Sequence, residues 1–189
     1  MNRLSCKNVY EADSCNGLMN ELKKGKCSHL ILDIIFSDGT SLEIVPTIRK
    51  LYPDIKIMIF SMQLREIYAE AFRRYDIHHY LNKSAGEEET INYISKFVHD
   101  EAIPYDSKNT TNNNPFSSLT PRELEILYYL LNGYKTKDIA TALNLGHSTV
   151  STFKNRIFEK TGLSNMVQII EMAAVYNLSA NIDIPKKLE

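Results

Sequence analysis

The sequence predicts an α/β first half, a shortened doubly wound parallel sheet, followed by an all-α domain of four helices carrying a helix-turn-helix. Three observations predict it. Over the first hundred residues, short apolar runs alternate four times with helical repeats, as parallel strands joined by crossover helices do. Residues 104–117, PYDSKNTTNNNPFS, then lose all periodicity and gather turn formers, which marks a linker. Beyond it, residues 119–163 read as three closely spaced helices, the second short and the third long, with a tight turn between them.

Composition narrows the class. With 189 residues, 43% of them hydrophobic and 24% charged, the chain has the make-up of a soluble globular protein of one or two domains. No apolar run approaches the roughly 20 residues of a membrane span, and MNRLSCKNVYEADS lacks the apolar stretch of an export signal. A cytoplasmic location with no membrane contact is expected. Cys6, Cys15 and Cys27 are odd in number and lack metal-ligand spacing, so they read as reduced thiols. The net charge of −1 hides an asymmetry: residues 1–115 carry 14 Lys and Arg against 16 Asp and Glu, residues 116–189 carry 8 against 7. Within 134–160, Lys135, Lys137, Lys154, Arg156 and Lys160 outweigh Asp138 and Glu159, a local basic patch suited to phosphates.

In chain order, NVYEAD at 8–13 predicts a strand ahead of a turn. Leu18, Met19 and Leu22 then repeat at helical spacing until Gly25. HLILDII at 29–35 and IKIMIF at 55–60 are apolar runs of the kind buried on both faces of a parallel sheet. Between them, Leu42 to Leu51 predicts a helix with Pro46 in its first turn. Residues 63–75 form an amphipathic helix and 77–81 a short strand. Ser84 and Glu87 have capping-box spacing ahead of a helix to about Glu101, with Ile91, Ile94, Phe97 and Val98 inward. Active groups in such sheets collect at the carboxyl ends of the strands, where Asp33, Ser61 and Lys83 fall.

In the second half, Thr120-Pro121-Arg122-Glu123 combines an N-cap, a first-turn proline and a reciprocal glutamate, and Gly133 closes that helix. Thr136 caps a short helix, Asn144-Leu145-Gly146 turns the chain, and the next helix runs from His147 to Thr161. Asn165 caps a fourth, with Val167, Ile170 and Ala174 expected inward. At 100° per residue, Val150, Phe153 and Ile157 share one side of the third helix, and Ser148, Ser151, Thr152 and Asn155 the other. Short side chains that both donate and accept hydrogen bonds suit close approach to base edges in a DNA groove. Lys154 and Arg156 flank that face, and Lys160 and Lys137 extend it toward phosphates. No nucleophile–base pair, glycine-rich phosphate loop or zinc motif argues for an enzyme.

These residues resemble the LuxR-type helix-turn-helix of the NarL/FixJ response regulators. The resemblance covers about 60 residues and rests on Leu119-Thr120-Pro121-Arg122-Glu123, Gly133, Ile139-Ala140, Thr149-Val150 and Lys160-Thr161-Gly162. It implies base contacts from Ser151, Thr152 and Asn155, in agreement with the helical wheel. Lys137, Ser148, Thr149, Lys154, Arg156 and Lys160 are the expected backbone contacts. The family's frequent lysines at positions 151 and 155 are replaced, which implies a different target site. The first hundred residues resemble that family's receiver domain, placing Asp33 as phosphoacceptor, Ser61 and Tyr80 as switch residues and Lys83 as phosphate-binding lysine.

Two departures from the receiver pattern stand out. Asp33 lies too near the start, so one strand–helix unit is missing, most simply the first, which in a receiver carries the acidic pair that holds Mg²⁺. The loop after Asp33, Ile-Ile-Phe-Ser-Asp-Gly, is shortened. Phosphorylation of an aspartate needs a metal to neutralise the transferred group, so a degenerate receiver is expected, with no cofactor unless the pocket works with Mg²⁺. Alternatively, the 8–13 strand moves beside the Asp33 strand and brings Glu11 or Asp13 to Asp33. The expected domains are a receiver-like unit at 1–103, the linker at 104–117, the helix-turn-helix domain at 118–180 and a tail at 181–189. The resemblance extends to RcsA-like auxiliary members with degraded pockets. It implies a regulator of promoter DNA, as a homodimer or as a heterodimer with a full-length response regulator. The other readings are a phosphorylatable response regulator and a module that sequesters one.

Overall fold

A computed structural model describes residue 6, residues 8–103, residues 114–176 and residue 178. The expected tail at 181–189 and most of the expected linker lie outside these residues.

The first helix, α1 (Cys15–Leu22), is capped by Ser14, whose hydroxyl accepts from the Gly17 amide. Strand β1 (His29–Leu32) follows, then a small hairpin of β2 (Ile35–Phe36) and β3 (Gly39–Thr40), and α2 (Ser41–Leu51). Strand β4 (Lys56–Ser61), α3 (Arg65–Arg73), β5 (His79–Asn82) and α4 (Glu87–Val98) complete the α/β half. The sheet is parallel, in the order β1-β4-β5, with Leu32 opposite Ile59 and Ile59 opposite Tyr80. On one face Leu30, Leu32, Ile57 and Ile59 pack under α1, α2 and α3; on the other, Met58 packs under Ile94 and Phe97 of α4. Helices on both faces explain why these strands read as continuous apolar runs.

Several expectations are corrected. Residues 8–13 form no strand, so the sheet has three strands and β1 has no second partner among the described residues. In the doubly wound order 2-1-3-4-5, these three correspond to the last three, which are adjacent in space. Among the described residues no strand lies beside 8–13, and alternation alone supplies no pairing partner. Asp13 and Ser14 serve the start of α1 instead, and the Asp13 carbonyl accepts from the Ser37 amide at 3.3 Å. The run at 29–35 leaves the parallel sheet at Leu32, and its last residue, Ile35, pairs instead with Thr40 in the hairpin. Pro46 lies at the sixth position of α2, not in the first turn, and faces solvent, where water can serve the carbonyl it leaves unbonded. Gly86, not Ser84, is the N-cap of α4, and no side chain caps it.

A 3-10 turn, Pro115–Ser118, opens the second half and buries Phe116 completely, although Pro115, Phe116 and Ser117 were expected in the linker. Helices α5 (Pro121–Leu131), α6 (Thr136–Ala142), α7 (His147–Thr161) and α8 (Met166–Val175) follow. The Thr120 amide donates to Glu123 Oε2 at 2.7 Å, closing the expected capping box. Helix α7 packs on α5, α6 and the 3-10 turn, and stops at Gly162, whose φ of 69° is left-handed. In α8 the inward residues are Ile169 and Ala173. Val167, Ile170 and Ala174, expected inward, face solvent, because that side of the helix meets no other element. Helices α2 and α3 pack against α5, joining both halves through one apolar core.

Candidate nucleic-acid interface and strand-end pocket

The parallel register brings three expected residues together. Asp33 follows β1, Ser61 ends β4 and Lys83 follows β5, all at the carboxyl end of the sheet. Asp33 Oδ1 accepts from the Ile34 amide at 2.7 Å and from Ser61 Oγ at 2.6 Å, and Asp33 Oδ2 accepts from Lys83 Nζ at 2.5 Å. The carboxylate is therefore neutralised and hydrogen-bonded from within the chain. The Lys83 ammonium also sits 5.7 Å from the Phe60 ring centroid. Tyr80 is buried, with its hydroxyl donating to the Gln63 carbonyl at 2.8 Å, and burial foremost pushes its phenol well above the ordinary range. Asn82, not foreseen from sequence, donates to the same carbonyl at 3.0 Å and accepts from the Ser84 amide, tying two loops together. Its signal was its place opposite Ser61 in register, which only strand pairing reveals.

The receiver family implies Mg²⁺ here, and the residues present do not fit it. A hard dication needs several oxygen ligands, yet among the described residues no three His, Cys, Asp or Glu side chains are grouped to hold a metal. The alternative in which a strand carries Glu11 or Asp13 to Asp33 is corrected: no strand forms there. The nearby acid of the shortened loop, Asp38, is turned to the start of α1, accepting from the Cys15 and Asn16 amides at 2.6 and 3.1 Å. Its slight burial opposes ionisation, but these amides outweigh it and hold the carboxyl below its usual range.

The second candidate is the outer face of α7. Val150 and Ile157 are fully buried and Phe153 packs partly against the core, which fixes the rotation of the helix. Ser148, Thr149, Thr152, Asn155 and Arg156 are then exposed, and Ser151 half-exposed. The Ser151 and Thr152 hydroxyls donate to the His147 and Ser148 carbonyls at 3.1 and 2.9 Å, leaving their lone pairs outward. The Arg156 guanidinium lies 5.7 Å from the Phe153 ring centroid, and Lys154 Nζ lies 5.9 Å from that of Phe158, so both cations are steadied by aromatic faces. Lys137 on α6 is exposed. Gly146 provides the N-cap without a side-chain bond, and the Thr149 amide bonds back to its carbonyl at 3.0 Å. Lys160 departs from the rest. Its ammonium bonds to Glu123 Oε2 at 2.6 Å, bracing the start of α5 where a phosphate contact was expected. Burial opposes ionisation of Glu123, but Lys160 and Thr120 overcome it and lower its carboxyl.

A three-stranded α/β unit with Asp, Ser and Lys at its strand ends, packed on a helix-turn-helix whose polar face is open, defines a two-domain regulator. Residues 1–95 match the response regulator receiver domain, and residues 117–173 match the bacterial regulatory proteins of the luxR family. The chain is 25% identical over 178 residues to the Fimbriae Z protein of Escherichia coli K12, covering 90% of this chain and 85% of that protein. It is 30% identical over 161 residues to the oxygen regulatory protein NreC of Staphylococcus carnosus, covering 76% and 74%. Among solved structures, RcsB from Salmonella enterica serovar Typhimurium bound to promoter P1flhDC superposes with a TM-score of 0.74 at 20% identity, covering 88% of this chain and 85% of that one. A structure of two RcsB dimers bound to two parallel DNAs gives 0.66 at 21% identity, covering 89% and 82%. This chain belongs to the NarL/FixJ family of response regulators, which join a receiver domain to a LuxR-type helix-turn-helix. It is a DNA-binding transcription regulator and not an enzyme.

Proposed function

We propose that this regulator reads promoter DNA through Ser151, Thr152 and Asn155, holds the phosphate backbone with Lys137, Ser148, Thr149, Lys154 and Arg156, and works largely without phosphorylation of Asp33. The observation that carries this reading is the rotation of α7: burying Val150 and Ile157 turns the short polar residues and two cations outward together. Lys160, drawn to Glu123, is assigned to bracing α5 and not to DNA. The receiver-like unit is taken as 1–103, with the helix-turn-helix domain starting at the Pro115–Ser118 turn rather than after a linker ending at 117.

Dimerisation is supported by the apolar side chains that α8 leaves in solvent: Val167 is 63% exposed, Ile170 49% and Val175 73%. A dimer would set two half-sites about 34–36 Å apart. It forms either from two copies or with a full-length response regulator, and it acts in the cytoplasm. Light scattering of the wild type and of Ile170→Glu, followed by footprinting with and without such a partner, tests this. Loss of a paired footprint in the variant is expected. A chain that leaves every promoter fragment unprotected at low salt would remove the DNA-reading assignment.

A second reading, phosphorylation of Asp33, is favoured by the assembly of Asp33, Ser61 and Lys83. Against it stands the absence, among the described residues, of a group of acids that could hold a metal beside Asp33. Mg²⁺-dependent labelling by a small phosphodonor, abolished in Asp33→Asn, would establish that second reading.

A further inference from the structure

Packing the receiver-like unit on α5 places two carboxyl groups against each other. Glu43, in the first turn of α2, accepts at Oε1 from the Thr40 amide at 3.3 Å and from the Tyr129 hydroxyl at 3.0 Å. Glu125, on α5, is 2% exposed and bonds through Oε2 to Arg122 Nη1. Its other oxygen, Oε1, is buried with no donor supplied to it, and the Glu43 carboxyl is brought beside Glu125 because Tyr129, from which it accepts, lies one turn further along α5 on the same face. Two ionised carboxylates cannot satisfy each other, since neither can donate. One proton between them can: it satisfies Glu125 Oε1 and removes one of two like charges.

The charge balance gives the same answer. Arg122 is the cation at the cluster, and its guanidinium also donates to the Leu143 carbonyl at 3.3 Å. It cancels one negative charge, and a second would be buried without a counterion, which is costly. The other titratable groups facing the cluster are Cys15 on α1 and Tyr128 and Tyr129 on α5, with Tyr68 on α3 and Tyr134 behind Tyr128. These are a thiol and phenols, and none can supply a positive charge. We infer that the interface between the receiver-like unit and the helix-turn-helix domain holds one proton shared by Glu43 and Glu125, so that the two domains pack less tightly as pH rises toward neutrality.

The direction of the effect follows from linkage. Burial first, and then the charge of Glu43, push the Glu125 carboxyl up to about 7, and burial raises that of Glu43 as well. In separated domains both would face water and titrate as ordinary glutamates near about 4.3. The packed form therefore binds an extra proton between those values. Packing is favoured in full below about pH 4, weakens by up to about tenfold per pH unit above it, and levels off past neutrality.

The test uses the full chain. Carboxyl-carbon NMR of the wild type is expected to show one glutamate titrating near neutrality, and small-angle scattering a growing share of separated domains as pH rises toward that point. Glu125→Gln, which donates its own hydrogen bond without a titrating proton, is expected to lose that resonance and to pack independently of pH. Glu43→Gln makes the same comparison from the other domain if circular dichroism shows Glu125→Gln to be unfolded. A wild type whose glutamates all titrate at ordinary values, or a folded variant with the wild-type pH profile, overturns the inference.

Discussion

The strand-end pocket and the outer face of α7 are both made of short polar side chains and cations, but they are satisfied in opposite ways. At the sheet, Ser61, the Ile34 amide and Lys83 all turn on Asp33, leaving the carboxylate bonded at both oxygens. On α7, Ser151 and Thr152 donate to carbonyls of their own helix and keep acceptor capacity outward, and Arg156 and Lys154 rest on aromatic rings. The charges at the strand ends are paired within the chain, whereas the polar face of α7 stays open to solvent.

The largest test of that contrast removes what orients the open face. Ile157→Ala empties a fully buried position of α7 and should destabilise the helix-turn-helix domain by about 2–5 kcal/mol. Thermal unfolding followed by circular dichroism measures it, and a loss below about 1 kcal/mol would mean that α7 is not anchored as described.

Thr152→Ala and Asn155→Ala leave that anchor intact. Each should weaken binding to the cognate site by about 1–3 kcal/mol while sparing random DNA. Equal losses on both DNAs would move these residues from base reading to backbone contact.

Glu123→Gln breaks the link between the start of α5 and Lys160, at a cost of about 0.5–2 kcal/mol. Because the folded carboxyl lies below its ordinary value, its contribution is present above about pH 4.3 and is lost as pH falls through the lowered value. Acid titration of stability should therefore be shallower in the variant than in the wild type. A parallel acid limb would show that Lys160 is free for other work.

Arg156→Ala should lower the salt dependence of DNA binding by about 0.9 in the log–log slope, for one released counterion. An unchanged slope would take Arg156 off the phosphate backbone. The smallest effect belongs to the pocket. Lys83 and Asp33 are 36% and 32% exposed, and pairs of this kind contribute about 0–1 kcal/mol. Asp33→Asn should thus change stability by less than about 1 kcal/mol, and DNA affinity, measured by fluorescence anisotropy with Mg²⁺ and a phosphodonor present, should stay that of the wild type. A variant that binds DNA more weakly under those conditions alone would reopen the pocket as a switch.

The legibility of each part follows the range of the interactions that build it. The α7 helix was readable from end to end, His147 to Thr161, because its faces repeat with the helical period and Gly162 stops it locally. The α5 start was equally plain, since Thr120, Pro121 and Glu123 act within one turn. Asp33, Ser61 and Lys83 could be placed at strand ends, though not at bonding distance. The inward face of α8 was misjudged because Val167 and Ile169 have similar hydrophobicity, and only the packing of the neighbouring helices selects between them. The strand expected at 8–13 failed for a related reason: alternation records a capacity to pair but not the presence of a partner.

By itself, then, the sequence determined the alternation of strands and helices from residue 29 onward, the bounds and faces of α7, and the placing of Asp33, Ser61 and Lys83 at strand ends, all of which depend on neighbours within a few residues or on known strand-end geometry. Tertiary structure alone decided that β1, β4 and β5 would pair in that order, that Lys83 would close on Asp33, that Lys160 would bond to Glu123, and that Glu43 would pack beside Glu125. Each of those joins residues far apart in the chain, through forces that fall off over a few ångströms, and no local pattern encodes which distant group will be within that reach.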